Sequence, residues 1–243
     1  MYFLIDKERK IIFGWSAKSG CSHIKRLFHY LNTDDIENFS HDMFSFDMLP
    51  DIIDNYIIIL FIRNPYKRLV SGFLDKYNIN GSYRKLWSIN KELTFENFVD
   101  ELYNHNYNVI EKHHFTPQLS EAYNNRINLI ENLILYDIEN IDYKYIEKLY
   151  NKTIPQEILN YKGPVHIGIK TIDYKVYNLN IDKYYKYTAK LTNFYNRIIK
   201  NKIDEYYKLD FEYFGSKNII YKINNNNNIN NTLKIKLYKH QYI

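Results

Sequence analysis

The residues with the plainest chemical potential lie in IIFGWSAKSGCSHIKRLF, Ile11 to Phe28, where an apolar run breaks into small polar residues around Lys18 and resumes at helical spacing. A strand, a short loop with Gly20 and a helix opening near Cys21 or Ser22 gather backbone N–H groups and the positive end of a helix dipole around one small volume, which suits an anion. Lys18 adds a mobile charge, and the hydroxyls of Ser19 and Ser22 can donate to phosphate oxygens. Each charge-assisted hydrogen bond of this kind contributes about 1.5–3 kcal/mol. A second group sits in FIRNPYKRLVSGFLDKY, Phe61 to Tyr77. Arg63 ends an apolar run, Asn64 and Pro65 open a helix, and Ser71 follows two turns on. Arg68 reads as a basic residue on an exposed helix face, with no ligand required.

Regular elements must hold these groups. Tyr2 to Ile5 and Ile11 to Phe13 flank the charged DKERK and predict a strand, a turn and a strand. Apolar residues at Ile24, Leu27, Phe28 and Leu31 predict a helix ending by Asn32. YIIILFI, Tyr56 to Ile62, is continuously apolar and β-branched, as in a central parallel strand covered on both faces. Downstream, 78–90 reads as loop, 94–104 as helix, 106–125 as a mixed polar segment containing His113 and His114, 128–136 as holding another buried strand, and 142–150 as helix. Pro155, Gly163 and Pro164 mark a long connection, 184–207 reads as mostly helical, and NNNNN at Asn224 begins a low-complexity stretch. Strands alternating with helices predict an α/β domain over 1–216, with an Asn-rich, basic tail over 217–243. Its ligand site is expected beyond the carboxyl ends of the strands, where both groups fall.

With 243 residues and 45% hydrophobic content, the chain can bury the core of one domain. A net charge of +5 favours polyanionic partners such as nucleotides or acidic glycans without choosing among them. A nucleic-acid partner is not expected, because no RNA- or DNA-binding motif appears and aromatics do not interleave with arginines. Cys21 is the only cysteine, which excludes an internal disulfide or a cysteine-based metal site and fits a reducing compartment. No His pair has zincin spacing and no acidic cluster points to a metal, so none is expected. No run approaches the roughly 18 apolar residues of a membrane span, and Met1 to Ile5 is too short for a signal peptide. The expectation is a soluble, cytoplasmic protein. With 26 Tyr against 7 Gly, and abundant Asn, Ile and Lys, the composition reflects AT-rich codons of the kind found in viruses and some protists. Individual Asn, Lys and Tyr residues carry little functional weight on that account.

An ATP-type phosphate loop reads G-x-x-x-x-G-K-[ST], with lysine after the glycine, whereas Lys18 precedes Gly20. The order AKSGCS instead resembles the 5′-phosphosulfate loop of the sulfotransferases that use 3′-phosphoadenosine 5′-phosphosulfate (PAPS), written P-K-S/T-G/A-x-[ST]. FIRNPYKRLVSGFLDKY is similar to their 3′-phosphate element, in which a buried strand ends in Arg, an Asp/Asn-Pro pair opens a helix and a serine follows. HHFTPQ, His113 to Gln118, resembles the H-W/F-x-P-Q segment of carbohydrate sulfotransferases, ILYDIENI their third core strand with its following Glu, and YYKLDFEYFG, Tyr206 to Gly215, their closing Y-x-x-D-F-x-x-F-G. All five occur in the family's order, from Ile11 to Gly215. The departures are Ala17 for the usual proline, Asn64 for the usual Asp, no cysteines near the H-x-P-Q segment and no Golgi anchor.

The resemblance implies a P-loop NTPase-like three-layer α/β domain, a central parallel sheet flanked by helices. It implies PAPS as co-substrate, bound by Lys18, Ser19, Gly20, Cys21, Ser22 and His23 at its 5′ end and by Arg63 and Ser71 at its 3′-phosphate, with 3′,5′-bisphosphoadenosine as product. Lys18 is placed to stabilise the departing phosphate oxygen. The acceptor is expected to be a hydroxyl of a carbohydrate or glycan, possibly acidic. For the general base, His41 in FSHDMFSF is the candidate: an imidazole ordinarily titrates near neutral pH, and His41 precedes Arg63 by 22 residues. The 2-O-type glycan sulfotransferases resemble this in having a catalytic histidine in a short segment before the strand that carries the arginine. Glu37 and His114 are the alternatives, and His113 is read as orienting substrate or packing. Asp210 and Phe211 are read as packing of the last helix. Rival readings are a nucleotide-dependent kinase using the same loop, and a catalytically silent glycan- or nucleotide-binding protein of the same fold.

Overall fold

The computed structural model describes residues 1–40, 45–46, 49–51, 53, 55–119, 133–161 and 171–221. Its frame is a four-stranded sheet in the order β1 (Tyr2–Asp6), β2 (Ile11–Trp15), β3 (Ile57–Ile62), β4 (Leu133–Asp137). β1 runs antiparallel to β2, whereas β2, β3 and β4 are parallel. The hairpin turn uses Lys10 at φ 57°. β1 extends the sheet on its outer side by pairing Phe3 with Phe46 through two backbone hydrogen bonds of 2.7 and 2.9 Å. The expected mostly parallel α/β sheet is therefore present, with one antiparallel edge strand.

The period-two alternation of β2 and β3 divides their side chains between two cores. Ile11, Phe13, Trp15, Ile59 and Phe61 pack with α1 (Cys21–Thr33), α5 (Tyr143–Tyr150) and α6 (Gln156–Leu159). Ile12, Ile58, Leu60 and Ile62 point the other way, onto Leu119 and onto Tyr213 and Phe214 of α8 (Lys208–Ser216). Both faces of β3 are thus covered, which is why its sequence is continuously apolar. β4 differs from expectation: only Asp137 is buried, because the strand lies at the edge of the described sheet. A third core joins α2 (Pro65–Lys76), α3 (Phe95–Tyr103), α4 (Lys112–Phe115) and α7 (Arg197–Tyr206).

Helix boundaries follow local chemistry. The Asn64 side chain accepts from the N–H groups of Tyr66 and Lys67, with Pro65 in the first turn of α2, while Thr94 and Asp142 cap α3 and α5. The expected long helix over 184–207 is a correction. It is replaced by short 3-10 turns, a two-strand pair of β5 (Thr171–Ile172) with β6 (Thr188–Ala189), and only then α7, which starts at Arg197 because the Asn196 side chain accepts from the N–H of Ile199. Buried tyrosines fasten the loops between these elements: Tyr77, Tyr195 and Tyr207 each donate a hydroxyl to a main-chain carbonyl, of Val109, Tyr66 and Phe115. No helix among the described residues is long and apolar enough to cross a membrane. Most of the expected tail, residues 222–243, lies outside the described residues.

Gly14 is the tight point of the sheet. A Cβ there would lie 2.4 Å from Leu60 Cδ2 and 3.2 Å from both Met1 Sδ and a Phe3 ring carbon. Leu60 and Phe3 are fully buried, so neither can retreat. Gly14→Ala should cost about 1–3 kcal/mol of stability by overpacking, measured as a lower urea midpoint at unchanged slope; an unchanged midpoint would contradict this packing.

Candidate functional site

Two strand-to-helix junctions lie side by side at the carboxyl ends of β2 and β3. In the first, Ser16 to Gly20, Lys18 and Gly20 both adopt left-handed backbone, φ 65° and 72°, which folds the loop back so that the Ser19 N–H reaches the Ser16 carbonyl at 3.1 Å. Gly20 is the N-cap of α1, where glycine carries this conformation without penalty. It offers no side-chain acceptor to the first-turn amides, and that turn has no acidic residue. The positive end of the helix therefore lacks an acceptor from these two sources.

The second junction brings Arg63 to the first. Its Nη1 donates to the Lys18 carbonyl at 2.9 Å, while its Nε is buried without a hydrogen-bond partner among the described residues. Burial lowers the Arg63 pKa, opposed by Glu139 and Asp137. A guanidinium nevertheless keeps its charge in a protein. An orphaned N–H on a buried cation beside the start of a helix fits an anion such as a phosphate. Ser71 is half-buried on α2, two turns beyond Asn64.

One side chain fastens both junctions. Gln118 Oε1 accepts from the Arg63 N–H at 2.9 Å and from Ser19 Oγ at 2.8 Å, and Gln118 Nε2 donates to the Arg63 carbonyl at 2.8 Å. Since a backbone N–H only donates and a carbonyl only accepts, the orientation of this amide is fixed. Gln118 is itself anchored: its N–H and that of Leu119 donate to the two oxygens of Asp210, both at 2.8 Å. Arg68 completes the clamp, Nε donating to Ala17 O and Nη1 to Thr116 O, each at 2.8 Å.

Three expectations change. Arg68 does not sit on an exposed helix face: it is 1% exposed and holds the loop carbonyl before Lys18. Asp210 is no apolar-style packing residue but a fully buried acceptor for two amides. Ser19 is fully buried and bonded to Gln118 and Ser16, so its hydroxyl supports the loop from behind instead of facing an anion. Arg68 and Asp210 had a signal in the sequence. Arg68 falls at helical spacing with Pro65, Leu69 and Gly72, and Asp210 with Tyr207 and Phe214, so each lies on a buried stripe. Gln118 was visible only as the last letter of HHFTPQ.

The remaining expected residues scatter. His23 Nδ1 faces the Tyr161 carbonyl at 3.2 Å and must carry the proton, leaving Nε2 to accept from the Tyr143 hydroxyl at 2.8 Å. Burial lowers its pKa, so it is a neutral strut between α1 and α5. Cys21 is half-buried in the first turn of α1. Glu37 is exposed. His114 Nδ1 is 2.6 Å from Glu111, whose carboxylate also caps α4 through the N–H groups of His113 and His114. His113 packs on Tyr2 with a 2.5 Å bond to its hydroxyl, and burial pushes its pKa down to about 4. His41 lies outside the described residues. Among the described residues, no group of three or more His, Cys, Asp or Glu side chains is arranged to hold a metal.

A family model described as the sulfotransferase family matches residues 1–217. Over 93 residues the chain is 31% identical to carbohydrate sulfotransferase 9 of Homo sapiens, a stretch covering 32% of this chain and 21% of that protein. No solved structure matches significantly.

The clamp predicts a pH signature. Burial pushes the Asp210 carboxyl from 3.8 up to about 6, against the Gln118 and Leu119 amides and Arg68, which favour the charged form. The folded protein therefore holds this proton more tightly than the unfolded chain. Its contribution is full below about pH 4 and is lost as pH rises through about 6, on the order of 3 kcal/mol in all at 1.36 kcal/mol per pH unit. Asp210→Asn, which keeps one acceptor oxygen, should flatten the dependence of urea stability on pH between about 4 and 6 and lower stability at pH 4 by about 1–3 kcal/mol. A mutant that keeps the wild-type slope would exclude Asp210 as its source.

Proposed function

Because the chain belongs to the sulfotransferase family, we propose that it moves a sulfuryl group from PAPS to a hydroxyl of a carbohydrate or glycan acceptor. The observation that supports this reading is the contact between the Arg63 guanidinium and the Lys18 carbonyl, which brings the two strand-to-helix junctions against each other. Two adjacent junctions of this kind suit a donor that carries phosphate at both the 3′ and the 5′ position of its ribose. A kinase reading lacks support, since Lys18 precedes Gly20 instead of following it.

In this reading the amides of the loop and of the first turn of α1 hold the 5′-phosphosulfate, and Arg63 and Ser71 hold the 3′-phosphate. The acceptor oxygen forms a bond to sulfur as the sulfur–oxygen bond to the 5′-phosphate breaks. Negative charge develops on that departing phosphate oxygen, where the Lys18 ammonium stabilises it, and the acceptor's hydroxyl proton passes to a base. We assign the base to His41, with Glu37 and His114 as the alternatives. The protein's main contribution is then position and electrostatics, as in phosphoryl transfer.

Labelled sulfate transfer from PAPS to a panel of glycans tests the reading directly. Lys18→Ala should reduce turnover about 100-fold or more, the typical loss on removing one charge-stabilising donor, with the thermal midpoint little changed; undiminished turnover would remove Lys18 from the mechanism. Because Arg63 also supports the loop, Ser71→Ala is the cleaner probe of the 3′-phosphate. It should weaken 3′,5′-bisphosphoadenosine by about 2–12-fold, the value of one ordinary hydrogen bond, and leave adenosine 5′-monophosphate unaffected. Equal losses for both ligands would contradict the assignment.

A further inference from the structure

We propose that Asp75 is a latch that holds the Lys18 ammonium against α2 until a phosphosulfate donor draws it away, an inference that rests on the donor-site reading above. The backbone of Lys18 has no freedom to move: its carbonyl accepts from Arg63 at 2.9 Å and the preceding carbonyl from Arg68 at 2.8 Å. Only the side chain can reorient. Its Nζ lies 3.1 Å from Asp75 Oδ2, and the same oxygen takes Lys76 Nζ at 3.1 Å. Asp75 follows Ser71 by four residues on α2, so the two share one helix face and that face meets the loop. Although burial opposes ionisation, the two lysines outweigh it and keep the Asp75 carboxyl below its ordinary pKa.

The double pairing makes departure of Lys18 inexpensive. With the Lys18 and Asp75 side chains both 20% exposed, the carboxylate left behind still has Lys76 and solvent. A buried one-to-one pair would instead strand a bare charge. Lys18 therefore has two stations, the Asp75 oxygen and the anion held by the loop amides, and Asp75 sets how strongly the donor must pull. It acts through Lys18 as a positioning residue and does not touch the reacting atoms.

Calorimetric titration of 3′,5′-bisphosphoadenosine into four proteins, wild type, Asp75→Asn, Lys18→Ala and the double variant, tests the latch. Removing the competing carboxylate should tighten binding about two- to fivefold when Lys18 is present, the range of a partly exposed ion pair, and leave it unchanged in the Lys18→Ala background. Asp75→Glu should restore the wild-type affinity, and Asp75→Ser, with thermal unfolding of every variant, guards against a folding defect. Unchanged or weaker binding by Asp75→Asn would overturn the latch. Equal tightening with and without Lys18 would overturn it as well, making Asp75 a through-space repulsive charge. If the wild-type protein does not bind the bisphosphate at all, the donor-site reading itself fails and the latch falls with it.

Discussion

The side-chain amide of Gln118 is the interaction on which the arrangement of the site depends. It bonds to both the N–H and the carbonyl of Arg63, and to the hydroxyl of Ser19. Two loops that follow different strands are thereby locked in register. A buried amide of this kind is strongly directional, because leaving any of these groups unpaired costs about 1–3 kcal/mol each. The order of support runs inward: Asp210 on α8 fixes the Gln118 backbone, Gln118 fixes Ser19 and Arg63, and Arg63 with Arg68 fixes the backbone around Lys18.

This layering separates residues that build the site from those free to meet a ligand. Ser19, Arg68, Gln118 and Asp210 are at most 1% exposed and spend their polar atoms on one another or on the main chain. By contrast, the Lys18 ammonium pairs with Asp75 at the partly exposed face of α2, and the Nε of Arg63 keeps an N–H unused among the described residues. Lys18 holds a left-handed conformation that is uncommon for a residue with a side chain, and the hydrogen bonds to its own and the preceding carbonyl help hold it there.

Tyrosine shows how composition and architecture meet. The abundant tyrosines are put to structural use: Tyr77, Tyr195 and Tyr207 are at most 2% exposed, and each gives its hydroxyl to a carbonyl while its ring packs in the helical core. Pairs such as Tyr66 with Tyr195, edge to face at 5.4 Å, give that core its aromatic character. The tyrosine positions thus matter to loop geometry even though no single one marks a reaction.

What the sequence determined by itself was the local part. Apolar runs broken by charged or small polar residues placed β1, β2 and β3, helical spacing placed α1 and α2, and Asn64-Pro65 and Thr94 coincided with helix starts, because such patterns are carried by the local stretch alone. The spacing of Lys18, Gly20, Arg63 and Ser71 also marked the two strand-to-helix junctions that the fold places side by side. Only the tertiary structure decided that Arg68 and Asp210 are buried anchors, that the Ser19 hydroxyl turns inward, that His23 is a strut and that Lys18 rests on Asp75. Those facts depend on partners up to 138 residues away, such as Tyr161 for His23, and no local pattern specifies which polar group a fold will bring against another.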